Sequence, residues 1–276
     1  VKNYLKLTNF ELSRFFKLYV VLIGLTLVMQ TVGIIWMSNT YMGSVEGLLL
    51  EGNTAELIKM NLGTFSFSTL TTSLLFSGPI IICIASLLIY VFLIWYRDWF
   101  GKNTFVYRLF MLPTARMNLF FAKATSIFLM VLGLVSLQLV FILIESQIAK
   151  LIVPTTYMES QNLNQIINGF DYMRVLYPTT LIEFLINYGI GFMAVFVIFT
   201  GILFERSFRL KGILFGILFA GISLFVFISP ILLQVTILEG FFYPVELFIL
   251  MVITGLIVIA GSVWISNYLL NKKIRV

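Results

Sequence analysis

GILFGILFAGISLFVFISPILLQVTIL, residues Gly212–Leu238, runs for 27 positions without an Asp, Glu, Lys or Arg. As a helix with a rise of about 1.5 Å per residue it exceeds the roughly 30 Å of hydrocarbon in a bilayer. Five more stretches share this character: Leu18–Trp36, Leu70–Trp95, Ala124–Ile144, Phe184–Phe204 and Leu247–Leu270. Backbone N–H and C=O groups find no water in lipid, so such runs must satisfy themselves as helices. The expected fold class is an all-α polytopic membrane protein of six transmembrane helices, forming a single transmembrane domain over residues 1–276. Composition agrees, since only 11% of residues are charged against about 25% in soluble chains.

Charge sets the expected orientation. Of 18 Lys and Arg, only Lys59, Lys150 and Arg174 fall on one side of the six spans; the other fifteen share the side that holds both termini. Basic residues are retained on the inner face, which predicts cytoplasmic N- and C-termini. The net charge of +6 hugs the span ends without forming one patch, so membrane lipid headgroups are the expected partners and nucleic acid is not. Trp36, Trp95, Trp99 and Tyr268 fall near the predicted interfaces, where amphipathic rings anchor a span.

Histidine is absent and cysteine occurs once, at Cys83. Those counts remove histidine-based zinc sites, Ser-His-Asp arrangements and any intrachain disulfide. No catalytic group and no metal site is predicted.

Outside the spans, Thr8 with Glu11 fits a capping box that starts an amphipathic N-terminal interfacial helix, Phe10, Leu12, Phe15 and Phe16 alternating with Glu11, Ser13, Arg14 and Lys17. Two long loops, Asn39–Thr69 and Glu145–Thr180, are expected to hold short helices. Glu239–Pro244 reads equally as a plain hairpin or a turn that re-enters the membrane edge. Pro79 and Pro230 predict kinks, either moving or static. Gly212, Gly216 and Ala220, four apart, would admit a close helix neighbour.

The segment between the second and third spans is the most polar on the inner side. Asn103 or Thr104 can cap a short helix in which Phe105, Leu109 and Leu112 share a face, and Pro113 stops it. The arrangement predicts an amphipathic rod parallel to the membrane, presenting aromatic and basic side chains to the cytoplasm. Tyr96-Arg97-Asp98, Gly101-Lys102, Leu112-Pro113-Thr114-Ala115-Arg116 and Lys123 resemble the intracellular loop of type-2 ABC transporter permeases (the ABC-2 family), the membrane subunits of bacterial exporters. The resemblance extends over nearly the whole chain. It implies a permease subunit in a bacterial cytoplasmic membrane, with a cytoplasmic coupling helix between helices 2 and 3 and with Thr104, Phe105, Arg108, Leu109, Leu112 and Pro113 as ATPase-coupling residues. It further implies two partners, a cognate ABC ATP-binding subunit and a second permease copy or sister permease.

No ATPase is expected on this chain. Its Gly101-Lys102 pair has Tyr96 where a phosphate-binding loop needs the first Gly, and Asn103 where it needs Ser or Thr. ATP and Mg therefore belong to the partner, and the chain carries no cofactor. Export of an amphipathic peptide (a bacteriocin or toxin), a lipid or a drug is the expected function. Gln30, Gln138, Asn187 and Gln234 are the candidates for lining a translocation pathway, with interhelical hydrogen bonding as their other reading. Glu145, Glu183, Glu239 and Glu246 read as an acidic exit rim or as solvated ends, and Glu205 with Arg209 as a helix-face pair. The alternatives are a gradient-driven secondary transporter, which needs an ionisable group at membrane depth, and a non-transporting immunity or sensor subunit. An intramembrane enzyme would need a Ser-Lys or Asp-Asp pair within the spans, and the spans offer none.

Overall fold

The computed structural model describes residues 2–67, 72–100, 105–111, 113–159, 161–168, 171–236 and 240–274. The described residues are helical almost throughout: α1 (Lys2–Leu50), α2 (Ala55–Leu62), α3 (Leu74–Phe100), α4 (Phe105–Phe110), α5 (Arg116–Ile152), α6 (Leu163–Asn168), α7 (Asp171–Leu176), α8 (Leu181–Phe208), α9 (Leu210–Thr236) and α10 (Pro244–Tyr268), which ends in a π-helical turn, Leu269–Lys273. Among them, six helices (α1, α3, α5, α8, α9, α10) are long and apolar enough to cross a membrane.

The helices outrun the apolar stretches, because a hydrogen-bonded backbone has no reason to stop where hydrocarbon does. α1 is the clearest case. It passes without a break through Thr8, so no capping box forms there: Thr8 Oγ1 donates to Tyr4 O at 3.1 Å, as a mid-helix threonine does. α1 ends at a Schellman turn, where Gly52 (φ 81°) donates to Leu49 O and Asn53 to Leu48 O. Ser73 caps α3 by accepting from Phe76 N. α10 starts at Pro244, with the Glu246 carboxylate accepting from Tyr243 N at 3.0 Å.

The chain divides into two compact units. One comprises residues 1–13, 87–129 and 180–276, the other 14–86 and 130–179, so α1, α3 and α5 contribute to both. The first unit has an aromatic centre in which Phe199 meets Trp95 and Phe120 edge-on, each at 5.6 Å. Trp95 is fully buried there, a correction to its predicted place as an interfacial anchor. On α8 and α10, Thr200 Oγ1 lies 2.9 Å from Ser266 Oγ and donates to Ser262 O.

α8 and α9 form a hairpin joined by Arg209, which takes a positive φ of 55°. A Cβ on Gly212 would stand 2.0 Å from Phe204 O, and one on Gly216 would stand 3.0 Å from Gly201 O. These glycines therefore admit the neighbouring helix of the same chain, whereas Ala220 is exposed. Gly212→Ala is expected to destabilise the protein by about 1–3 kcal/mol through overpacking. Gly221→Ala, on the same helix with nothing within 4 Å of its Cβ position, should not lower the melting temperature in a parallel thermal melt.

The second unit packs Ile34, Val45, Ile58, Phe65, Phe76, Ile142, Ala149, Tyr157 and Tyr177 into one apolar core. Both long loops belong to it and carry the short helices α2, α6 and α7. An isolated bridge joins them: Phe65 N donates to Tyr157 O at 2.8 Å, and Glu159 N to Phe65 O at 3.0 Å.

Candidate functional site

Four charged side chains of the first unit meet where α1, α3 and α5 come together. Lys123 Nζ uses all three of its protons, donating to Glu11 Oε1 at 2.7 Å, Asp98 Oδ2 at 2.5 Å and Ile94 O at 2.8 Å. Glu11 accepts again from Arg97 Nη2 at 2.9 Å. Lys123, Glu11 and Asp98 are fully buried, and Arg97 keeps partial access to solvent. Two bases and two acids make the cluster neutral. Low dielectric makes each of its contacts strong and makes the loss of any one costly.

Next to this cluster lies α4, a helix too short to stand alone. Side chains from three other helices hold it. Phe10 of α1 packs on Phe105 at 5.9 Å, Trp99 of α3 on Tyr107 and Phe110 at 6.3 Å each, and the Arg116 guanidinium of α5 on the Phe110 ring at 5.2 Å. Arg116 Nη1 also donates to Leu270 O and Ile274 O, tying the C-terminal turn to the same place. Val106, Leu109 and Phe110 are buried.

The outward face of α4 differs from the one read from sequence. Leu109 is only 9% exposed, while Met111 is 72% exposed and Arg108 and Pro113 are open to solvent. Phe105 is half-buried against Phe10. Thr104 and Leu112 lie outside the described residues.

Beside α4, Tyr96 Oη donates to a Glu205 carboxylate oxygen. Arg206 stacks its guanidinium over Phe100 at 4.5 Å, Tyr96 at 5.0 Å and Trp99 at 5.6 Å. Glu205 thus turns to Tyr96 and to Arg206, 3.8 Å away. Arg209, its expected partner, is the linker residue of the α8–α9 hairpin.

The amides predicted to line a pathway are placed as follows. Gln138 Nε2 donates to Gln30 Oε1 at 3.1 Å, and Gln30 Nε2 donates to Phe76 O at 3.1 Å, so both are buried interhelical hydrogen bonders in the second unit. Gln234 clamps the turn between α9 and α10, accepting from Phe242 N at 3.0 Å and donating to Phe242 O at 3.2 Å. Residues 237–239 of that link lie outside the described residues. Asn187 is half-buried on α8. The acidic residues also separate in role: Glu246 caps α10, Glu183 sits in the first turn of α8, Glu239 lies outside the described residues, and Glu145 is buried.

Sequence reading missed the charge cluster, having assigned Glu11 to a cap and Lys123 to the basic flank. One signal was present: Asp98 and Lys123 stand within four residues of the ends of two apolar runs, where a charge has protein on one side and lipid on the other. Compared with protein-family models, with curated proteins and with solved structures, the chain matches none.

Proposed function

We propose that this chain is the permease subunit of an ATP-driven bacterial exporter of the type-2 ABC kind, in the cytoplasmic membrane, and forms half of a translocation pathway with a second permease. The observation that supports this reading most is α4. A short helix between two membrane-length helices is gripped by Phe10, Trp99 and Arg116 and keeps Arg108, Met111 and Pro113 free. On the positive-inside orientation it faces the cytoplasm.

In this proposal a separate ATP-binding subunit, which holds ATP and Mg, docks on the free face of α4. Its closure displaces α4. The displacement passes through Trp99 to α3 and through Arg116 to α5, while the Lys123 cluster keeps α1, α3 and α5 moving as one piece. The cargo is an amphipathic peptide, a lipid or a hydrophobic drug, carried outward by alternating access. A gradient-driven secondary transporter is the second reading, and one observation favours it: Glu145, a carboxylate buried without a hydrogen-bond partner on a membrane-length helix.

Vesicles that contain this chain and its ATPase, loaded with ATP and clamped at zero ion gradient, decide between the two. Export under those conditions is the expected result. Transport by the chain alone on an ion gradient, with no ATPase present, would remove the proposal in favour of the second reading.

A further inference from the structure

The polar side chains in the core of the second unit form two layers, and only one is satisfied. The first is the Gln30–Gln138–Phe76 chain of hydrogen bonds described above. The second lies two helical turns farther along both helices. Ser38 follows Gln30 by eight residues and Glu145 follows Gln138 by seven, rises of about 12 and 10.5 Å. The Gln30–Gln138 contact and the Tyr19–Met130 hydrogen bond fix α1 and α5 as parallel neighbours, so Ser38 and Glu145 stand at one level.

Both side chains face the same core. Ser38 shares its helix face with Ile34, Met42 and Val45, and Glu145 shares its own with Ile142 and Ala149, all members of the apolar cluster or packed against it. Glu145 is 2% exposed and Ser38 0%. Neither carboxylate oxygen of Glu145 has a hydrogen-bond partner, nor has Ser38 Oγ. Glu145 is also the one buried charged residue among the described residues of this unit. Among the described residues no base and no donor stands beside this carboxylate, so nothing there offsets the cost of burying its charge.

We propose that Glu145 and Ser38 form a binding site for one alkali-metal cation. Charge decides the valence, since a single carboxylate is neutralised by a single positive charge. Ligand type decides the class, because carboxylate and hydroxyl oxygens suit a hard cation and no nitrogen or sulfur ligand is needed. A proton would neutralise Glu145 yet leave both its O–H and the Ser38 hydroxyl without a partner in the structure. A metal ion bound at about 2.4 Å engages both oxygens, and two oxygens sharing an ion need not hydrogen-bond to each other. The assignment does not depend on the transport proposal, because binding belongs to this chain alone.

The test melts the full-length chain in nanodiscs in choline chloride, then with choline replaced stepwise by NaCl, KCl or LiCl at constant ionic strength. At least one of the three should raise the melting temperature along a one-site saturation curve, by about 5 °C or more at a hundredfold excess over Kd. Glu145→Gln should abolish the rise, and Ser38→Ala should move the curve to concentrations about 10-fold higher or more. A wild-type protein indifferent to all three cations overturns the site without recourse to any variant. So does a rise that survives Glu145→Gln, and so does a response to acid alone, which would give the carboxylate to a proton.

Discussion

Lys123→Met is expected to lower the stability of the protein by about 3–5 kcal/mol, the cost of breaking a buried ion pair by removing one partner. Methionine fills the volume of the lysine stem but supplies none of its three donors. Glu11 retains Arg97 at 2.9 Å, whereas Asp98 Oδ2 loses a 2.5 Å contact inside the protein. The penalty therefore comes from two buried carboxylates that each lose a charged donor, at 2.7 Å for Glu11 and 2.5 Å for Asp98. A second variant separates this account from simple packing loss. Lys123→Met combined with Asp98→Asn removes one base and one acid, leaves the Glu11–Arg97 pair in place and should recover more than half of the loss, since replacing a buried ion pair by neutral groups is often close to neutral in stability. Thermal melting of the three proteins in one detergent measures both effects. A loss under about 1 kcal/mol for the single variant would mean that the cluster carries no structural role.

How much of this was legible in sequence follows from which forces are local. The six membrane helices could be read because the absence of charge over a bilayer's length is a property of one segment, and six helices of that character stand among the described residues. The ends could not. α1 continues through Thr8 because Glu11, which would have reached back to close a cap, gains more from Lys123, a residue 112 positions away. The pairing of Gln30 with Gln138 has the same origin: an amide in an apolar helix must find a partner, but its own sequence neighbourhood does not say which. The fate of Leu109 is another case. Its periodicity marked an apolar position, and the missing information was that Trp99, Arg116 and Phe10 hold the neighbouring residues of α4 and that Leu109 is buried. Glu145 sits one residue past an apolar run and reads as a solvated end, until the loop segments around Phe65 and Tyr157 join the core on its side.

Two opposite faces of α4 should fail in opposite ways. Leu109→Asp places a carboxylate where the side chain is 9% exposed, against the rings and chain that bury Val106 and Phe110. The expected consequence is a stability loss of about 3 kcal/mol or more, from lost packing together with an unpaired buried charge. Arg108→Glu with Met111→Glu alters only exposed positions. Its melting temperature should stay within the range of ordinary surface substitutions, about 0.5 kcal/mol, because no described contact of α4 uses either side chain. If the ATP-binding partner docks here, reversal of the Arg108 charge and loss of the Met111 anchor should weaken its association at least about 30-fold, the size of a hot-spot loss. Pull-down of the partner by each variant at matched folded concentration is the measurement. Undiminished association with the double variant would place the docking surface elsewhere. Undiminished stability with Leu109→Asp would mean that α4 is not packed as described, and the lever that the proposed mechanism depends on would have no fixed attachment.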